Sequence, residues 1–227
     1  KIDRPIINCE VFYKKRDVDV LARKILRSKL VSVSIITDGK SASKATILGF
    51  SFATVSDNGW YVPVANKELD DKKPNKDNLS WILEKLKPIL ESDEVLKTGC
   101  NIKYDLHLLK RFGINIGGYI FDISIAAHLI NPSSKVPSLK SLSLEYLNYE
   151  VSSIEDLFNV VKNQQNIYDI SLEDISNYSA EKSCKTLELT QILKDELEKK
   201  SLTEYFDMVE LPLVPILVEM EYNGVYV

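Results

Sequence analysis

The stretch GCNIKYDLHLL, Gly99–Leu109, decides how the rest of the chain is read. A short apolar run, Val95–Leu96, precedes it, and Leu106, Leu109 and Phe112 follow at helical spacing. An Asn, a Lys, a Tyr and an Asp thus arrive together where a strand turns into a helix. Asp105 falls in the first turn or so of that helix, where the dipole favours a carboxylate. Two roles are open to it: a helix-start residue, or a metal-binding carboxylate held by a rigid helix.

Upstream, Asp77–Glu91 reads as a helix with Trp81, Ile82, Leu86, Ile89 and Leu90 on its apolar side and Pro88 late in it. Val95–Thr98 is a short strand. Further back, Leu30–Ile36, Ala45–Val55 and Trp60–Val64 read as three antiparallel strands. They are joined by a polar turn at Asp38–Ser43 and a hairpin turn at Asp57-Asn58-Gly59. Val18–Leu30 places Val18, Leu21, Ile25 and Leu26 at helical spacing, and Lys1–Arg16 is an extended lead-in. Asp70–Asn78 is a charged loop.

Downstream, Gly117-Gly118 breaks the chain before a helix over Phe121–Leu129, capped by Asp122. Asn131–Pro137 is a loop, Leu139–Leu147 a helix and Ile154–Val161 another. Ser171 with Asp174 resembles a capping box that opens a long helix to about Lys199. Glu204–Tyr222 is a last helix, bent near Pro212 and Pro215. Strands first, then a strand–helix unit, then many helices predict an α/β fold, a mixed sheet with helices packed on it.

Composition narrows the class. A chain of 227 residues, 44% hydrophobic and 27% charged, can bury a core and stay in water. No apolar run is long enough to span a membrane, and the N-terminal residues do not read as a signal peptide, so a cytoplasmic setting without a membrane partner is expected. Cys9, Cys100 and Cys184 are odd in number and form no CxxC pair, which argues against a zinc site or a disulfide scaffold. His107 and His128 stand alone on apolar helices. There is no glycine-rich phosphate loop, no GxSxG and no HExxH. Lys1–Leu30 holds nine basic and four acidic residues, whereas Glu150–Val227 holds six basic and sixteen acidic. No strongly basic face stands out, so both ends read as solvated surface. The start at Lys1 and the strand-like run after Asn223-Gly224 suggest a piece of a longer protein.

Four ordered segments resemble the 3′–5′ exonuclease domain of bacterial DNA polymerase I, a family A DNA polymerase. They are ILGFSFA (Ile47–Ala53), GWYVPVA (Gly59–Ala65), GCNIKYDLHLL with GYIFDISIAAHLINP downstream, and LEDISNYSAEKSCKTLEL (Leu172–Leu189). The tail Leu211–Val227 looks like the junction that leads into the polymerase domain. The resemblance implies a ribonuclease H-like fold, with residues 1–205 as the exonuclease-like domain and 206–227 as a helical junction. It also implies a site in which four acidic residues hold two divalent cations and a tyrosine helps position the attacking water. Two such cations steady the attacking and leaving oxygens of a phosphodiester.

Carried over residue by residue, the resemblance implies a degenerate site. Counting back from Gly49 puts Ser34 and Ile36 where the family's first motif has its Asp and Glu. Asp105 matches the second motif. Tyr178 matches the tyrosine of the third, but the acid four residues on is replaced by Lys182. Asp38, in the turn, and Glu181, about 100° around the helix from Lys182, are the nearest acidic substitutes. The reading is therefore a domain that keeps the fold, holds no catalytic metal and supports a DNA-synthesising polymerase domain. Mg2+ would belong to that polymerase domain, which also brings DNA and an intramolecular contact. Two alternatives stand beside it: a working metal-dependent exonuclease using Asp38 and Glu181, and a single-strand binding module in which Tyr178, Tyr104 and Lys103 meet bases and phosphate. Freed of a metal, Lys182 is expected within about 4 Å of Asp105, with Ile36 packed into the floor of the cleft.

Overall fold

The computed structural model describes residues 7–224, apart from 67, 70–72, 75, 133–136, 155 and 158–166. The alternation of Leu30–Thr37, LVSVSIIT, sets the architecture. In a strand, successive side chains point to opposite faces. Val31, Val33 and Ile35 therefore enter one core, while Ser32, Ser34 and Ile36 face the other side. This strand, β2, lies inside a six-stranded sheet made with β1 (Asn8–Val11), β3 (Ile47–Ala53), β4 (Asn58–Pro63), β5 (Leu96–Gly99) and β6 (Ile120–Asp122). The order is β1-β4-β3-β2-β5-β6. The β2–β3 and β3–β4 pairs are antiparallel, and β1–β4, β2–β5 and β5–β6 are parallel. Ser34 sits opposite Ser51, and Ile36 opposite Gly49.

Helices cover both faces. On one, α1 (Lys15–Leu26), α2 (Lys76–Leu90) and α3 (Ile102–Lys110) pack Val18, Leu21, Ile82, Leu86 and Leu108 against the sheet. On the other lie α4 (Ile123–Ile130), α5 (Leu139–Leu147) and the long α6 (Leu172–Lys199). Ser171 starts α6 as read from the sequence: its hydroxyl accepts from the Asp174 N–H at 3.0 Å and donates to the Asp174 carboxylate at 2.6 Å. Small residues let this helix approach closely. Ser51 on β3 donates to the Ser179 carbonyl at 2.6 Å and meets the Ser183 hydroxyl at 2.7 Å. A Cβ added at Gly59 would lie 2.6 Å from the Ala180 Cβ, so glycine is required at that crossing.

Several boundaries differ from the sequence reading. The lead-in contains β1, whose partly exposed NCEV has no clean apolar alternation. Phe121 and Asp122 end a strand before α4 begins, so the expected helix starts two residues late. The hairpin turn precedes Asn58, which already pairs with Asn8. The last helix runs as expected but with a widened turn inside it: a short α7 (Thr203–Tyr205), a π-helical turn (Phe206–Glu210), then α8 (Leu211–Asn223) with Pro212 in its first turn. Proline lacks an N–H and crowds the carbonyl four residues back, and the widened turn makes room for it. The expected helix over 154–161 lies largely outside the described residues, as do parts of the 70–78 and 131–137 loops. No helix among the described residues is long and apolar enough to cross a membrane.

Candidate functional site

The C-terminal end of β2, the start of α3 and the middle of α6 enclose an open cleft of about 690 Å3. Ser34, Ile36, Asp105, Tyr104, Tyr178 and Lys182 all line it. Residues 70 to 150 positions apart thus come together because β2 pairs with β5, and β5 feeds directly into α3.

The entry to α3 is fixed by an unusual junction. Asn101 adopts the left-handed conformation (φ 61°, ψ 50°), which an asparagine tolerates. The side chain that caps this turn comes from Asp122. Its carboxylate accepts N–H groups from Asn101 at 3.3 Å and Ile102 at 2.7 Å. It also accepts from Ser124 at 2.8 Å and Ile125 at 3.3 Å. One buried carboxylate, 2% exposed, therefore caps α3 and α4 together. The sequence reading found the α4 cap. The α3 cap is missed because its donors lie about twenty residues away, beyond any local capping pattern.

Asp105 follows one turn later and is 9% exposed. Burial pushes its carboxyl up to about 7; the Lys182 ammonium works against that, and the Asp122 carboxylate adds to it. Among the described residues, Asp105 has no hydrogen-bond partner and no ion pair within 4.0 Å. The expectation that Lys182 would close to that distance is corrected. Its ammonium stays on the cleft wall, 5.6 Å from the centre of the Tyr178 ring one turn earlier on α6. A ring face at that range attracts the cation and holds it back from the carboxylate.

The remaining residues divide between the cleft and its surroundings. Ile36 is 4% exposed and packs with Leu48, Tyr61, Ile170 and Ile175 at the cleft floor. Ile36→Glu is expected to lower the melting temperature at neutral pH, at a cost of about 3 kcal/mol for a buried acid with no partner. An unchanged melting temperature would mean that the floor is wet. Tyr104 donates to the Gly39 carbonyl at 2.6 Å and meets the Thr37 hydroxyl at 2.8 Å, so it ties α3 to the turn after β2. Lys103 is turned away, paired with Glu221 of α8 at 2.5 Å. Glu181 is turned out of the cleft, where its carboxylate accepts from the Tyr149 hydroxyl at 2.7 Å and the Ser152 N–H at 2.9 Å. Asp38 does line the cleft, but its two oxygens accept from the Thr46 N–H at 2.7 Å and the Tyr168 hydroxyl at 2.6 Å. Those donors oppose the burial that would raise its carboxyl, and hold it below the usual carboxylate range.

The pair of divalent cations implied by the resemblance does not fit these residues. A hard cation needs several free oxygens. Here one carboxylate is free, the next is engaged by two donors, and an ammonium and an isoleucine take the remaining positions. Among the described residues no group of three or more His, Cys, Asp or Glu is placed to hold a metal.

A mixed sheet in this strand order, with helices on both faces and a cleft at the end of β2, defines a ribonuclease H-like exonuclease fold. The structure of Escherichia coli RNase D, an exoribonuclease involved in structured RNA processing, shares it with a TM-score of 0.72 at 13% identity, over 94% of this chain and 51% of that one. Residues 9–198 match the 3′–5′ exonuclease family of DNA polymerase A, and the chain belongs to that family. It is 29% identical to DNA polymerase I of Pseudomonas aeruginosa over 224 residues, 97% of this chain and 24% of that protein. It is 30% identical to DNA polymerase I of Borreliella burgdorferi over 225 residues, 99% of this chain and 24% of that protein. The chain thus spans about a quarter of the length of these relatives.

Proposed function

We propose that this domain keeps the exonuclease fold, has lost the exonuclease chemistry, and serves as structural support for the polymerase module of a cytoplasmic DNA polymerase I engaged in replication and repair. The observation that carries the reading is the lining of the cleft. Ser34, Ile36 and Lys182 stand around Asp105 where hydrolysis would need carboxylates. The alternative of a working exonuclease draws on Asp38 and Glu181. One is held by two donors in the cleft, and the other points away from it, hydrogen-bonded to Tyr149 and Ser152. A metal-free single strand in the cleft keeps some support from Tyr178, which lines the opening, but Lys103 is paired with Glu221 of α8. DNA then reaches the parent protein through the polymerase module, where Mg2+ acts.

The test is direct. The purified chain, given Mg2+ or Mn2+, is expected to leave a labelled single-stranded oligonucleotide at full length. Metal-dependent shortening from the 3′ end that vanishes in Asp105→Ala would overturn the reading. Shortening that persists in that variant traces to a contaminating nuclease and leaves the expected result in force once it is removed.

A further inference from the structure

We infer that the outer face of α1, a helix that contributes nothing to the lining of the cleft, is a second nucleic-acid surface, one that grips the phosphate backbone of duplex DNA. By segment the sequence shows only a surplus of cations near the N-terminus; the helix sorts them. At 100° per residue, Arg16, Val20, Arg23 and Arg27 fall within a stripe about 60° wide. Val18, Leu21, Ala22 and Ile25 point the opposite way into the core. All four stripe residues are exposed, with Val20 at 49%. Tyr13, 47% exposed, lies just before the helix with the Lys14 ammonium 5.6 Å from its ring centre.

The arginines are also free to bind. Among the described residues none of the three forms a salt bridge, although Arg23 donates to the Asp19 carbonyl of its own helix at 3.2 Å. Of the acids on α1, Asp19 is engaged by Lys85 at 3.1 Å. The neighbouring lysines are used structurally: Lys24 covers the Trp60 ring at 4.3 Å and Lys15 the Trp81 ring at 5.7 Å. Arg16 to Arg27 spans roughly 16 Å of helix, over which a duplex presents about ten phosphate charges. Arginine suits phosphate through its planar fork of donors. Duplex is favoured over single strand because both tryptophans are capped by lysines, leaving no row of bare rings on which bases could stack. Of the acidic excess of Glu150–Val227, the part on α6 lies on the other face of the sheet, and Glu219 and Glu221 of α8 are engaged by Lys110 and Lys103 of α3.

The experiment uses the full chain and fluorescence anisotropy of a labelled duplex of about 16 base pairs at low salt. Wild type is expected to bind, with log K falling linearly in log salt. R16Q/R23Q/R27Q is expected to raise Kd at least tenfold and to flatten that slope by about 3. Its melting temperature should hold, since the three side chains are exposed; should the triple variant fail to fold, R23Q/R27Q is measured in its place. K140Q/K199Q/K200Q removes three exposed cations from the opposite layer and is expected to leave Kd within about twofold. The inference is overturned if wild type does not bind, if the arginine variant binds like wild type, or if both triple variants lose affinity equally. Displacement of the duplex by a polyglutamate peptide at equal charge also overturns it and assigns the face to an acidic protein.

Discussion

Asp122→Ala is expected to lower the free energy of unfolding by about 3–5 kcal/mol, read from urea titrations at neutral pH. The size reflects the number of groups that one carboxylate serves. Four N–H groups at the starts of α3 and α4 converge on it, and it is buried. A helix that loses its N-cap costs about 1 kcal/mol, sometimes 2, and here two helices lose theirs at once. Water does not readily replace the lost acceptor, so buried donors are left unpaired. Asp122→Asn keeps one acceptor oxygen and is expected to cost about half as much. A loss below about 1 kcal/mol in Asp122→Ala would show that the helix ends find other partners. The site feels the change too, because Asn101 and Ile102 open the helix that carries Asp105.

How much of the fold is legible in the sequence depends on the range of the interaction. The Ser171 cap and the Leu139–Leu147 helix are written within a few residues of where they act, and both are readable. The antiparallel trio β2–β3–β4 is readable because its apolar runs are separated by turn residues. β1 is not: it is an edge strand whose four residues are all exposed or half-buried, so burial leaves no alternation to detect. β6 is three residues long and is apolar into the helix that follows, which hides the change from strand to helix.

The cleft divides in the same way. That Ser34, Ile36, Asp105, Tyr178 and Lys182 share one cavity follows from ordered motifs, not from any local pattern, and they do line one cleft. Where Lys182 puts its ammonium is not readable, because a flexible stem chooses between a carboxylate and a ring by distance alone. The direction of Glu181 does follow from helical geometry, since neighbours on a helix diverge by about 100°. The arginine stripe of α1 escapes for a different reason. Counting charge by segment averages over the faces of a helix, and only the position of the buried face shows which cations gather on the other side.

Asp105→Asn is expected to stabilise the domain by roughly 4 kcal/mol at pH 8 and by almost nothing near pH 4. The folded chain holds the Asp105 proton up to about 7, because burial penalises the anion. The unfolded chain releases it near the ordinary value of about 3.9. Folding therefore takes up a proton between those two values. The stability this provides is whole below about pH 4, falls as pH rises, and is gone once the folded group has ionised above about pH 7. A window of about three pH units, at about 1.4 kcal/mol each, gives the expected size. Asparagine has the shape of the neutral acid and no proton to lose, so the difference between the two proteins follows that window while all other titrations cancel. Lys182→Met moves the wild-type profile to higher pH, because the ammonium that favours the anion is gone. Mg2+ and a chelator should give the same curves, since the cleft offers a cation only one free carboxylate. Chemical denaturation of the three proteins between pH 4 and pH 8 measures all of this. A gain in Asp105→Asn that is the same at both ends of the range would show that Asp105 carries no perturbed proton.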